Sequence, residues 1–287
     1  MKPAPFNYIA AQTIDQALHC LSDAGDDAKI LAGGQSLGPM LNLRLARPST
    51  VIDINPLDDL GHIEIEENGI RIGALVRHHT IETSSDIADR FPLITAAARH
   101  VAHPTIRNRG TFVGSLAHND PAAEWPLVAQ LFDAEISVRS LRGERKILAK
   151  DFFESYLTTT LEADELITSV FLPYLDGGYR WGFEEMSRRL GDFALAAVGV
   201  LVQTDNDACQ NVRIALAGVD ESACRAVQAE QHLTGQQVTD SLLDEVAEIA
   251  AEHCDPPEDL HASGEDRKHL VRVLTKRALL SALGNGR

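Results

Sequence analysis

Apolar and polar positions over residues 1–55 follow a strand, helix, strand, helix, strand rhythm. Phe6–Ile9 reads as a short strand. Behind Thr13, which forms a capping box with Gln16, the residues Ile14, Ala17, Leu18 and Leu21 recur at helical spacing. A loop over 22–27 leads to Lys29–Ala32, a buried strand that runs straight into Gly33-Gly34-Gln35-Ser36. Leu37–Leu45 is spaced for a short helix, Pro48 stops it, and Thr50–Ile54 reads as the next strand. The pattern predicts a compact β-α-β unit with its glycines at a strand-to-helix turn.

The period then changes. His62–Glu66 and Ile70–Ile72 alternate around Asn68-Gly69, a hairpin signal. Helical spacing returns over Leu93–Ala102, stopped by Pro104, and again from Ala122 through Trp125-Pro126 to Phe132. Strands are predicted at 134–140 and 145–149, parted by Arg142-Gly143, and at 166–172. Pro173–Gly178 is the best linker candidate. Beyond it, strands at 180–186, 194–204 and 211–217 precede helices at 223–232, 240–253 and 265–283. That order predicts a separate α+β domain with helices packed on one face of an antiparallel sheet.

Composition narrows the partners. A hydrophobic content of 44% supports a real core, and a formal net charge of −16 repels polyphosphate backbones and anionic membranes. With Trp at 2 and Tyr at 4, the scarcity of aromatic platforms argues against stacked nucleic acid or carbohydrate as well. Cys20, Cys209, Cys224 and Cys254 lie far apart with no CxxC pair, which fits neither a disulfide framework nor a zinc or iron–sulfur site. MKPAPFNYIA has no apolar stretch suited to a signal sequence, and the longest apolar run, Phe193–Val202, is about half a membrane span. No transmembrane segment and a cytoplasmic location are therefore expected.

Two segments could carry chemistry. In Ala32-Gly33-Gly34-Gln35-Ser36-Leu37 the glycines let a ligand approach the backbone, and a following helix start points free N–H groups at it. A diphosphate is the natural occupant, and a plain tight turn is the alternative. Gly34-Gln35-Ser36-Leu37-Gly38 also matches the G-x-S-x-G nucleophile elbow, so a serine hydrolase using Ser36 has to be weighed. Against it, an elbow needs several sheet strands in place before the serine. The second segment, Arg107–Glu124, is dense in small and hydroxylic residues with a turn-prone Asn119-Asp120-Pro121. It could lay amides and hydroxyls along a second diphosphate face, or be a loop with a capped helix. The spacings of His78, His79, His100, His103 and His118 match no zinc template, which favours surface or core histidines. No G-x-G-x-x-G follows a strand, so a nicotinamide-binding Rossmann half is not indicated.

Together these segments resemble the FAD-binding (medium) subunit of molybdenum hydroxylases, the family of carbon monoxide dehydrogenases and xanthine dehydrogenase. AGGQSL at 32–37 is similar to its first flavin loop, and IRNRGTFVGSLAHNDPAAE at 106–124 to its second, usually IRNxGTxGGxxAxxxPxxD or E. Ile72-Gly73-Ala74 resembles the short IGA between them. Ser187–Ala194 is similar to the RRxGDFA run that opens the C-terminal domain, and Asp266–Leu274 with Arg277-Ala-Leu fits the family's ending. The likeness covers essentially the whole chain in the right order.

The resemblance implies an α+β protein. A two-lobed FAD-binding domain of the vanillyl-alcohol-oxidase (PCMH) type would occupy 1–175, with lobes at 1–55 and 56–175. A smaller α+β domain would occupy 179–287. FAD would lie between the lobes, with Ala32, Gly33, Gly34, Gln35, Ser36 and Leu37 on one side of the diphosphate and Thr111, Gly114 and Ser115 on the other. Glu124 falls where the family places an acid on the ribityl or adenosine portion, Val101 and Leu166 match pocket-lining positions, and Phe193 matches an aromatic that approaches the isoalloxazine. No side chain is assigned an acid–base role. Substrate oxidation would belong to a large molybdopterin subunit. Electrons would pass through a small subunit with [2Fe–2S] clusters to this FAD and on to an acceptor, within a heterohexamer. One departure stands out: the family's paired glycine is Val113-Gly114 here. If the first position needs positive φ, valine is strained there, so the loop turns differently or holds FAD less firmly. Two further readings stay open, a self-sufficient FAD oxidoreductase and an assembly protein that has lost its flavin.

Overall fold

The computed structural model describes residues 1–175, 177–206 and 208–284. Asp176 of the expected linker and residues 285–287 at the chain's end lie outside the described residues. Strand β1 (Asn7–Ala10), helix α1 (Ile14–Ala24), β2 (Ala28–Leu31), α2 (Leu37–Asn42) and β3 (Thr50–Asp53) come first. They make a parallel three-stranded sheet in the order β1-β3-β2. Thr13 caps α1 by accepting from the Gln16 amide, and Ala17, Leu18 and Leu21 are the buried face. The Gln16 side chain returns the bond one residue early, to the amide of Gln12. Helix α1 runs on through Ser22–Ala24, and Gly25–Asp27 is a 3₁₀ turn, so the expected loop at 22–27 is ordered.

A second, antiparallel sheet follows in the order β4-β5-β10-β6-β7. Its strands are β4 (Ile63–Glu66), β5 (Gly69–Gly73), β6 (Glu135–Ser140), β7 (Gly143–Leu148) and β10 (Leu166–Pro173), with a small hairpin of β8 (Phe153–Ser155) and β9 (Thr158–Thr159). Glu66 pairs with Gly69, so the β4–β5 turn is Glu67-Asn68, one residue before the expected Asn68-Gly69. Gly69 is glycine for another reason: a Cβ there would sit 2.3 Å from the Leu172 carbonyl oxygen. Between β5 and β6 lie α3 (His78–Thr83), α4 (Ser85–Arg90), α5 (Pro92–Ala98), α6 (Pro104–Arg107), α7 (Phe112–His118) and α8 (Glu124–Leu131). Helix α5 stops four residues short of the expected Ala102, and Ala102 itself turns left-handed at φ 43°.

The rest is a four-stranded antiparallel sheet of β11 (Arg180–Ser187), β12 (Ala194–Asp205), β13 (Ala208–Ala217) and β14 (Cys224–Arg225), followed by α9 (Val227–Leu233), α10 (Asp240–His253) and α11 (Gly264–Gly284). The apolar run that began at Phe193 is β12, buried on both faces. Val198, Val200 and Val202 pack with α9–α11 in one core, and Ala197 and Leu201 join the other core beneath α8. A strand covered on both sides loses the polar alternation of a half-exposed one. All eight residues of α8 are buried, with Gly199 of β12 close beside Leu127 and Leu131. This packing fixes the helix that begins at Glu124.

Candidate functional site

Leu31 ends β2 beside Asp53 at the end of β3, and the chain leaves the sheet through Ala32–Ser36. Gly34 takes φ 70°, a left-handed conformation that costs most side chains energy. Ser36 starts α2 without capping it, and among the described residues the amides of Gly33, Gly34, Gln35 and Ser36 donate to no protein acceptor. Uncapped amides at a helix start suit an anionic ligand.

The second segment is built against the end of β5. His78 N–H donates to the Gly110 carbonyl and Phe112 N–H to the Val76 carbonyl, with Arg77 bridged to Thr111. Thr111 is buried and caps α7, its hydroxyl accepting from the Gly114 amide at 3.0 Å. Val113 sits in the first turn of this right-handed helix, buried and without positive φ, so the condition on which strain depended is not met. Gly114 is the constrained member of the pair, since a Cβ there would lie 2.6 Å from the capping Thr111 oxygen.

The two segments touch. A Cβ on Gly33 would be 2.3 Å from the Arg109 carbonyl oxygen and 2.6 Å from Gly110 Cα, so they pack backbone to backbone. Asn55 and Arg77 tie them together. Asn55 Nδ2 donates to the Ala32 carbonyl at 2.8 Å, Arg77 donates from one nitrogen to Asn55 Oδ1 at 2.6 Å, and from the other to the Arg109 carbonyl at 2.6 Å. Burial pushes the Asp53 carboxyl up, but hydrogen bonds from Tyr8 and Asn55 and the Arg109 charge outweigh it and hold it below the usual range. Asn55 and Arg77 stand outside both motifs, and only the fold brings them between the two segments.

A cleft of about 720 Å³ opens along this junction. Its walls include Ala32, Gly33, Gly34, Gln35, Ser36 and Leu37 from the first segment and Thr111, Gly114 and Ser115 from the second. Val101, Glu124, Leu166 and Phe193 line it too, so all thirteen residues singled out in the sequence surround one space. Roughly 300–1,000 Å³ is the range of cofactor and small-ligand sites. Arg107 holds Val101 in place: it is buried, donates to the Val101 and Ala102 carbonyls, and pairs with Glu82 through two nitrogens. Asn119 ends α7 and donates to the Ser155 and Thr158 carbonyls, fixing the β8–β9 hairpin at the rim. Phe193 is 67% exposed, on a loop where Arg188 pairs with Asp192.

Electrostatics inside the cleft are uneven. Burial, with the Glu185 carboxylate of β11 adding to it, pushes Glu124 up to about 8, so it holds a proton at neutral pH. His78, expected only as one of the surface or core histidines, lies on the wall and accepts the Trp125 indole N–H at Nδ1, 2.8 Å away. Burial and the Arg107 and Arg77 charges push it down to about 3. Ser36 has no histidine bonded to its hydroxyl among the described residues, since the histidine side-chain bonds go to Trp125, Glu245 and Gln228. A serine nucleophile would need that partner.

Comparison with known proteins gives a consistent answer. The family described as "FAD binding domain in molybdopterin dehydrogenase" matches residues 4–175, and "CO dehydrogenase flavoprotein C-terminal domain" matches 181–282. The chain is 41% identical over 288 residues to the 6-hydroxypseudooxynicotine dehydrogenase complex subunit alpha of Paenarthrobacter nicotinovorans, covering 100% of this chain and 97% of that one. To the caffeine dehydrogenase subunit beta of a Pseudomonas species it is 37% identical, over 98% and 96% of the two chains. A solved carbon monoxide dehydrogenase from Hydrogenophaga pseudoflava, lacking the Mo-pyranopterin moiety, superposes with a TM-score of 0.97 at 34% identity, over 99% of both chains. No helix among the described residues is long and apolar enough to cross a membrane. With both halves matched and relatives aligned end to end, the chain belongs to the FAD-binding medium subunits of the molybdenum hydroxylase family.

Proposed function

We propose that this chain holds FAD non-covalently in the 720 Å³ cleft as the electron-transfer subunit of a molybdenum hydroxylase. The observation that carries the reading is the junction of Gly33 with Gly110: two glycine-bearing segments meet backbone to backbone, with unpaired amides on the first. Unpaired main-chain N–H groups at such a junction, opening on the cleft, suit a diphosphate. In this reading Ala32–Leu37 flank one side of the diphosphate and Thr111, Gly114 and Ser115 the other. Protonated Glu124 would donate a hydrogen bond to the ribityl or adenosine portion, Val101 and Leu166 would line the flavin pocket, and exposed Phe193 would approach the isoalloxazine ring. The FAD domain spans 1–175, in lobes at 1–55 and 56–175, and the smaller domain spans 179–287.

Bound FAD supplies the route by which electrons from [2Fe–2S] clusters of a small subunit reach an external acceptor. The substrate is oxidised on a large molybdopterin subunit, and the three subunits pair into a cytoplasmic heterohexamer. The chain's own residues orient and shield the cofactor and move no proton to or from substrate. A tag on this chain tests the assignment: it should bring down a complex containing FAD, molybdenum and iron. A tagged chain that oxidises a substrate with FAD alone would instead make it a self-sufficient oxidoreductase.

A further inference from the structure

The geometry points to His78 as a fixed hydrogen-bond donor to the FAD diphosphate, aimed by Trp125 and admitted by Gly110. This rests on the cofactor reading above and goes beyond it, because neither flavin segment contains His78.

An indole N–H can only donate, so His78 Nδ1, which receives it at 2.8 Å, carries no proton. The neutral imidazole must therefore carry its proton on Nε2. A second proton at Nδ1 would face the indole N–H and break the contact, which agrees with a ring pushed down to about 3. The tautomer is set by the fold and does not change across the working pH range.

That donor is left free. His78 is only 5% exposed, yet among the described residues Nε2 has no hydrogen-bond acceptor. His78 lines the cleft, and a donor without a protein partner on a cleft wall is open to a ligand oxygen. The Nε2 edge lies against Gly110, where a Cβ would meet Nε2 at 2.5 Å and Cδ2 at 2.7 Å. Glycine at 110 is thus what lets the ring reach the wall. Gly110 is also the residue whose Cα packs on Gly33, so the residue that the Nε2 edge lies against belongs to the junction of the two glycine segments. The acceptor there would be a diphosphate oxygen of the bound FAD. Trp125, whose indole is fully buried and stacks against the His78 ring at 5.8 Å, is the positioning residue.

The test compares FAD with riboflavin, which lacks the diphosphate, by fluorescence titration of the full chain. His78→Phe should weaken FAD by about 10- to 100-fold, the loss of one hydrogen bond to a charged group, and leave riboflavin unchanged. Trp125→Phe should weaken FAD by a smaller factor in the same direction and introduce a pH dependence that the wild type lacks. Unchanged FAD affinity in a folded His78→Phe protein would overturn the proposal, and so would equal losses for both ligands. If the wild type bound no FAD, the cofactor reading itself would fall. Should His78→Phe not fold, wild-type protein labelled with ¹⁵N-histidine decides. The His78 Hε2 resonance should move as FAD saturates the protein; if it stays still at saturation, the assignment is wrong.

Discussion

Gly33→Ala is the perturbation whose consequence is most directly fixed by geometry. The added methyl would lie 2.3 Å from a carbonyl oxygen and 2.6 Å from a Cα, both main-chain atoms, where ordinary contact begins at 3.4 Å. No rotamer relieves this, so the segments at 33 and 109–110 must part by about 1 Å, against the clasp of Asn55 and Arg77. Overpacking of this kind costs about 1–3 kcal/mol, or roughly 3–10 °C in Tm for a chain of this size. The same movement misaligns the amides that face the diphosphate, so FAD affinity should fall at least about tenfold, the value of one charged hydrogen bond. Gly38→Ala is the matched control. It lies in α2 with nothing within 4 Å of the added Cβ, and should be neutral or stabilising by up to about 1 kcal/mol. Differential scanning calorimetry of the apo protein and flavin titration read both quantities. A Gly33→Ala protein with wild-type Tm and FAD affinity would refute the reasoning.

Val113→Gly, which restores the family's glycine, should destabilise the chain by roughly 2–3 kcal/mol through a lost buried side chain and a helical glycine, and should not tighten FAD; denaturant unfolding with flavin titration checks both. Asn55→Ala leaves Arg77 without one acceptor and the Ala32 carbonyl without its donor, so apo stability should drop by about 1–3 kcal/mol in urea melts and FAD should bind more weakly. Native Glu124 keeps its proton to about 8 while the unfolded chain releases it near the ordinary value of 4.5. Its contribution is therefore fully present below 4.5 and lost as pH rises towards 8, and Glu124→Gln should remove that decline, melting above the wild-type apo protein at pH 8 by more than at pH 6. Ser36→Ala should leave any background esterase turnover unchanged, because no histidine is bonded to the hydroxyl it removes.

What was legible in the sequence was local or periodic. The Thr13 cap, the β-α-β rhythm, and the order of strands before helices after residue 180 each follow from neighbours a few residues apart. Glycines were less transparent. Asn68-Gly69 signalled a turn, yet Gly69 is in the strand, made small by Leu172 across the sheet. Helix α7 was hidden because Thr111–His118 is rich in small and hydroxylic residues, although a Thr111 cap ahead of Phe112, Val113 and Leu116 was the available sign. The thirteen motif residues came to one cleft, but the groups that brace them did not announce themselves. Asn55 and Arg77 act on main-chain carbonyls, which carry no sequence signature, and Arg107, although inside the second segment, gave no sign of its bond to the Val101 carbonyl. The tautomer of His78 depends on Trp125, distant in the chain and brought close only by the packing of α8.

The central claim, that this chain is where the complex holds its flavin, is tested most directly by composition. The assembled complex is captured through a tag on this chain, its flavin is released by denaturation and identified, and FAD, molybdenum and iron are quantified per copy of the chain. The account predicts one FAD per copy, retained when the chain is separated from its partners under mild conditions, with molybdenum and iron leaving with the other subunits. A complex free of FAD, or FAD that stays with a different subunit, would contradict it.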